Sequence, residues 1–236
     1  MRFGTLACDY DGTLAHHGVL KESTAAALDQ FRSAGGRLVM VTGRELPELQ
    51  SICNALDKFE GIVAENGALL YRPQDGTTEL LCAQASADLA QRLAQAGAKP
   101  LSVGRAIIAT REPYETLALE LIKELGLELQ IIFNKGAVMI LPAGVNKAAG
   151  LAAMLSKMNI APENVAAIGD AENDHALLSM CGLGVAVSNA VPTLKETANV
   201  VTKGSRGDGV IELIERLLAD EFTNVATRTV DISAVK

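Results

Sequence analysis

Tryptophan is absent from this chain, and aromatic residues make up only 3 % of it. Any core must therefore be aliphatic. With 49 % apolar residues over 236 positions there is enough for one large domain or two smaller ones. No apolar run approaches the ~20 residues of a membrane span, and the first one is short and ends at Asp9, unlike a signal peptide. The four cysteines, Cys8, Cys53, Cys82 and Cys181, are far apart with no CxxC spacing. They read as reduced, mostly buried thiols of a cytoplasmic protein. A net charge of −7 argues against nucleic acid or an anionic membrane as partner. It leaves room for an anionic substrate, because a local site can be positive on an acidic protein. Repeats and low-complexity blocks are also missing.

What is present is organised around Cys8-Asp9-Tyr10-Asp11-Gly12-Thr13-Leu14. Residues 3–8 suit a buried strand, and Gly12 and Thr13 suit a sharp turn. Two carboxylates thus stand at the C-terminal end of a strand, where open α/β sheets build their sites. They share a face if the strand continues, or converge if the chain bends at Tyr10. Carboxylates that close repel unless a cation or a shared proton intervenes. A hard cation such as Mg²⁺ would satisfy them. An Asp-rich turn without chemistry is the plain alternative.

Similar groups recur down the chain. His16 and His17 lie in a loop with no third ligand close by and read as solvent-exposed. A helix is predicted over 21–34, with Ser23 or Thr24 as cap and Gly35-Gly36 as stop. The strand predicted at 37–41 ends in Thr42-Gly43-Arg44, a hydroxyl, a free N–H and a guanidinium suited to an anion. A helix follows over 46–56, then a strand at 61–64, the turn Glu65-Asn66-Gly67 and a strand at 68–71. Asn146 caps a helix that opens with Lys147, a cation at the positive end of the dipole. A bound anion would offset that misfit. The strand at 165–168 ends in Gly169-Asp170-Ala171-Glu172-Asn173-Asp174, a third acidic cluster.

Between these groups the pattern changes. The Pro, Gln, Asp, Gly and Thr cluster over 73–77 reads as a boundary. Helices at 86–96 and 113–125 and strands at 101–110, 127–133 and 137–141 then suggest a small inserted α+β domain. Arg105, Arg111 and Lys135 are candidate substrate contacts by position, but as exposed charges they read as solvated surface. The division is 1–76 and 142–218 for the larger domain, 77–141 for the insert, and 219–236 for a tail or linker to a further domain.

The order Asp9-x-Asp11-Gly12-Thr13, Thr42-Gly43-Arg44, Lys147, Gly169-Asp170-x-x-Asn173-Asp174 resembles the haloacid dehalogenase-like phosphohydrolases. The position of the insert resembles their Cof-type branch. Its short length is similar to the phosphoglycolate, mannosyl-3-phosphoglycerate and sucrose-phosphate phosphatases. The resemblance implies an α/β fold: a Rossmann-like parallel-sheet core with helices on both faces, plus a small inserted α+β cap domain. It implies a Mg²⁺-dependent phosphatase of a small phosphorylated metabolite, a sugar phosphate or an organic-acid phosphate such as phosphoglycolate, acting through an aspartyl-phosphate. Asp9 would be nucleophile and Asp11 acid and base. Thr42, Gly43 and Lys147 would hold the phosphoryl group, aided by N–H groups near Asp11 and Gly12. Asp9, Asp170 and the backbone carbonyl of Asp11 would hold the metal. Asn66, Asn173, Asp174 and Arg44 would support them. The competing readings are a phosphomutase of related fold and a regulatory or binding domain of a larger protein.

Overall fold

The structure, a computed structural model, describes residues 1–222. Its first half contains β1 (Thr5–Asp9), β2 (Ala15–His16), β3 (Val19–Leu20), α1 (Glu22–Ser33), β4 (Arg37–Val41), α2 (Leu46–Ile52), β5 (Gly61–Ala64), β6 (Leu69–Arg72) and β7 (Thr77–Leu80). Then come α3 (Ala87–Gln95), β8 (Ser102–Val103), β9 (Ile108–Arg111), α4 (Glu115–Glu124), β10 (Leu129–Asn134) and β11 (Ala137–Pro142). The chain continues with α5 (Lys147–Lys157), β12 (Val165–Gly169), α6 (His175–Met180), β13 (Leu183–Ala186), α7 (Pro192–Thr197), β14 (Val200–Val201) and α8 (Gly207–Leu218).

The larger sheet has eight strands in the order β14-β13-β12-β1-β4-β5-β6-β7. Pairing is parallel from β14 to β5, and antiparallel through β5, β6 and β7. Strands β1, β5, β12 and β13 are buried along their whole length. That is why they read in sequence as unbroken apolar runs rather than alternating ones. Helices α1 and α8 pack together, as do α5 and α6; the right-handed rule for parallel crossovers assigns the two pairs to opposite faces of the sheet. The chain leaves β1 toward β4 on one side and later returns to β12 on the other. A crevice therefore opens at the carboxyl ends of these three strands, the topological switch point of the sheet.

The smaller sheet is wholly antiparallel, in the order β10-β11-β9-β8. With α3 and α4 it encloses its own core, including Leu89, Leu93, Ile108, Ala118, Ile122 and Ile140. The expected α/β core with an inserted α+β cap is thus the observed architecture. Some local expectations change. The cluster over 73–77 is a hairpin turn, and β7 is the edge strand of the larger sheet. The stretch 101–110 is two strands, because residues 104–107 turn sharply between β8 and β9.

That turn is held by the larger domain. Glu65 is fully buried, and its carboxylate accepts the backbone N–H groups of Arg105 (3.0 Å), Ala106 (2.7 Å) and Ile107 (3.1 Å). A buried carboxylate is tolerable only with such donors. Glu65, Asn66 and Gly67 all have left-handed backbones, with φ of 50°, 55° and 110°. A Cβ on Gly67 would stand 2.0 Å from the carbonyl oxygen of Asn146, so this turn lies directly against the start of α5.

Elsewhere, α1 starts at Glu22, with Lys21 rather than Ser23 or Thr24 at the cap position, and Thr24 is buried. Helix α2 ends at Ile52. Phe222, placed in the tail by the sequence, is buried in the main core, and its carbonyl accepts Arg2 Nη1 at 3.2 Å. The rest of the tail, from residue 223, lies outside the described residues. All four cysteines are free thiols, and burial pushes those of Cys8 and Cys181 well up. Among the described residues no helix is long and apolar enough to cross a membrane.

Candidate active site

Asp9 is the last residue of β1 and is 4 % exposed. Its Oδ1 accepts Lys147 Nζ at 2.6 Å, and Asp174 Oδ1 accepts the same ammonium at 2.6 Å. Lys147 is placed by Asn146, whose side chain accepts the N–H of Ala149 at 2.9 Å and so caps α5. The sequence expectation was that a bound anion offsets a lysine at this helix end. In the structure two carboxylates already do. Burial acts to depress the Lys147 pKa, but Asp174 and Asp9 outweigh it and hold it well above the usual lysine range.

Asp174 does a second job. Its Oδ2 accepts the backbone N–H groups of Asp170 (2.9 Å) and Ala171 (3.0 Å), closing the loop after β12. A Cβ on Gly169 would collide with Asp174 at 2.6 Å, so the loop closes only over a glycine. Asp170 is fully buried. Its Oδ1 accepts Thr13 Oγ1 at 3.4 Å, and its Oδ2 accepts Asn189 Nδ2 at 3.4 Å and the ammonium of Lys135. Gly12, at φ 85°, brings backbone up to this carboxylate; an ideal Cβ there would lie 2.1 Å from Oδ2. Gly12→Ala is therefore expected to cost about 2 kcal/mol or more of stability, from left-handed strain plus the clash. Urea unfolding of the variant checks this, and an unchanged midpoint would refute the crowding.

One ligand oxygen each from Asp9, Asp170 and Asp174 lies within 4.8 Å of the others. Both oxygens of Asp174 are taken by protein donors, whereas Asp9 Oδ2 is buried with no hydrogen-bond partner. Burial pushes the Asp9 carboxyl up; Lys147 opposes this, and the Asp174 and Asp170 charges reinforce it. Three carboxylates here face the ammonium groups of Lys147 and Lys135, which leaves a negative surplus beside an orphaned oxygen. A hard divalent cation fits both the charge and the oxygen donors.

The strand-end group after β4 is arranged differently from the expectation. Thr42 is 1 % exposed and borders the cleft; its Oγ1 accepts the N–H of Arg44 at 3.1 Å. Its hydroxyl hydrogen is thereby free to point at an anion. The Arg44 guanidinium clasps Asp11 from Nε to Oδ2 (2.5 Å) and from Nη2 to Oδ1 (2.8 Å), and also meets Glu48. Asp11 is thereby held by Arg44 and is not one of the three clustered carboxylates. The N–H of Gly12, expected to face a phosphate, is bonded instead to the carbonyl of Ala15 at 3.0 Å. Asn66 Oδ1 accepts Asn173 Nδ2 at 2.9 Å, and that amide lies beside Gly43. Asn66 Nδ2 and Asn173 Oδ1 are buried without partners.

A cleft of about 800 Å³ joins these groups to the smaller sheet. Asp9, Asp11 and Thr42 form its floor, and Arg111, Lys135 and Met139 belong to the opposite wall. Lys135 corrects the sequence reading, which left it as solvated surface. His17 borders the cleft mouth, and the exposed His16 and His17 rings lie 4.1 Å apart. Sequence reasoning missed the role of Glu65, whose only local sign was its place in the Glu65-Asn66-Gly67 turn, and the contact of Lys135 with Asp170, although Lys135 was named as a candidate by position.

The family model for haloacid dehalogenase-like hydrolases matches residues 6–107 and 90–214. The chain belongs to the haloacid dehalogenase-like hydrolases. Its curated relatives include a phosphoglycolate phosphatase of Metallosphaera sedula, 31 % identical over 225 residues, covering 91 % of this chain and 98 % of that protein. Another, from Methanosarcina acetivorans, is 29 % identical over 222 residues and covers 92 % and 97 %. Among solved structures, a putative HAD/COF-like hydrolase from Plasmodium vivax superposes with a TM-score of 0.78 at 20 % identity, covering 92 % of this hydrolase and 96 % of that chain. At that identity the likeness concerns the fold.

Proposed function

We propose that this hydrolase is a Mg²⁺-dependent phosphatase of a small phosphorylated metabolite. An organic-acid phosphate such as phosphoglycolate leads the candidates, on the names of its curated relatives. The observation that carries the reading is Asp9 Oδ2, buried and without a partner at the floor of the cleft, inside the acidic cluster with Asp170. Asp9 and Asp170, with the backbone carbonyl of Asp11, would hold the metal. When bound, it supplies positive charge against an anionic nucleophile meeting an anionic phosphate.

The chain's own residues divide the remaining work. An Asp9 oxygen attacks phosphorus, and the phosphorus–leaving-group bond breaks to give an aspartyl-phosphate. Asp11 gives its proton to the departing oxygen, then takes one from the water that attacks phosphorus and frees Asp9. Asp11 cannot donate a proton while both its oxygens accept from Arg44, so it leaves that pair when substrate enters. Thr42 donates its hydroxyl, and Gly43 its N–H, to phosphoryl oxygens. Lys147 orients Asp9 and offsets its charge, while Asp174 holds Lys147 and the Asp170 loop. Asn66 and Asn173 brace one another beside Gly43. The working division is the larger sheet, through Leu80 and again from residue 143, for the chemistry, with the intervening segment as the cap that encloses the leaving group. We take the site of action to be the cytoplasm, in keeping with the free thiols.

The test is release of inorganic phosphate from phosphoglycolate, hexose phosphates and other small monoesters. A chelator is expected to reduce turnover at least ~100-fold, and Mg²⁺ to restore it. Turnover that resists the chelator would refute the metal dependence. Activity only with a bisphosphorylated sugar, without phosphate release, would favour a mutase instead.

A further inference from the structure

Lys135 stands at the tip of the β10–β11 hairpin, with a left-handed backbone at φ 47°. Its backbone N–H donates to Glu172 Oε2 at 3.1 Å, and its ammonium donates to Asp170 Oδ2. A cap side chain thus enters the acidic cluster of the other sheet from the cleft. Asp170 is 0 % exposed, and among the described residues its Oδ2 otherwise receives only the Asn189 amide at 3.4 Å. A carboxylate so buried needs a cation. Burial pushes its pKa up, and Lys135 is the largest influence opposing this.

We infer that Lys135 competes with the divalent cation for Asp170, so that metal binding releases the Lys135 ammonium into the cleft. The inference rests on the metal-dependent reading given above. An ammonium and a divalent ion in contact with one carboxylate oxygen repel strongly at short range. The two lysines of the cluster differ in what they can do about it. Lys147 is 1 % exposed and fixed between two carboxylates. Lys135 is 42 % exposed and carries one. Only Lys135 has somewhere to go, and that place is the cleft, whose wall it already forms. Loading the site therefore turns a core-bound cation into a cleft cation, where an anionic substrate arrives. Apparent metal affinity is lowered by the fraction of molecules in which Lys135 holds Asp170.

The experiment is a calorimetric titration of the full chain with Mg²⁺, without substrate. It compares wild type, Lys135→Met, Lys135→Gln, Lys123→Met and Asp170→Asn. Lys123 is an exposed residue of α4, so its variant removes the same charge away from the site. Both Lys135 variants are expected to bind Mg²⁺ about three- to tenfold more tightly than wild type. Lys123→Met should match wild type, and Asp170→Asn should lose binding. Equal or weaker binding by the Lys135 variants, or equal tightening by Lys123→Met, with Asp170→Asn still losing binding, would overturn the competition and leave the metal site standing. Unchanged binding by Asp170→Asn would overturn the metal site itself.

Discussion

Asp9→Asn is expected to lower kcat by at least about four orders of magnitude while the protein stays folded. The amide cannot act as the nucleophile, and no other side chain in the cluster is placed to replace it. Lys147 is turned between two carboxylates, and Asp174 has both oxygens engaged. The amide is the same size as the carboxylate, and its oxygen can still accept from Lys147. It also removes one charge from a site with a negative surplus. The melting temperature without added metal should therefore be equal to or above that of wild type, while stabilisation by Mg²⁺ should shrink. Phosphate release and thermal melts, each with and without Mg²⁺, give both readings. Turnover within tenfold of wild type would remove Asp9 from the role of nucleophile.

The second large effect is on stability. Lys147→Met leaves two buried carboxylates 2.6 Å from a vanished cation. Removing one partner from a buried ion pair costs about 3–5 kcal/mol, chiefly because the other charge stays behind. For a chain of this size that is a fall of about 10 °C in melting temperature. Turnover should fall as well, since Asp9 loses the donor that orients it. Methionine keeps the length of the side chain, so lost packing contributes little. Lys157→Met is the control, because Lys157 is 44 % exposed and pairs with an exposed Glu79; a surface pair of this kind is worth about 0–1 kcal/mol. Equal melting temperatures for the two variants would mean that Lys147 is not the keystone of the cluster.

The two effects share a cause that the sequence displays and a geometry that it does not. Asp9, Thr42, Lys147, Asp170 and Asp174 each follow a short apolar run or open a helix, so their positions relative to strand and helix ends could be read locally. Parallel strands in one sheet put all their carboxyl ends on one edge. Five separate local readings therefore imply a single site without any knowledge of contacts. The same logic does not extend to orientation. Asp11 and Arg44 were both placed at the site, but their mutual clasp depends on side-chain angles that no spacing encodes.

The sequence by itself determined the parallel core, the strand-end chemistry and the presence of an α+β insert, because hydrophobic period, caps and turns act within a few residues. Only the tertiary structure decided how that insert meets the core. Glu65 reaches N–H groups about forty positions away, and Lys135 reaches a carboxylate thirty-five positions away. The edge strand β7 looked like part of the insert until its pairing with β6 was seen. In each case what matters is a hydrogen bond or charge pair between segments whose relative placement is set by the packing of two separate cores. Packing is a property of the whole chain, and a buried carboxylate such as Glu65 or Asp170 becomes intelligible only when its donors arrive from elsewhere.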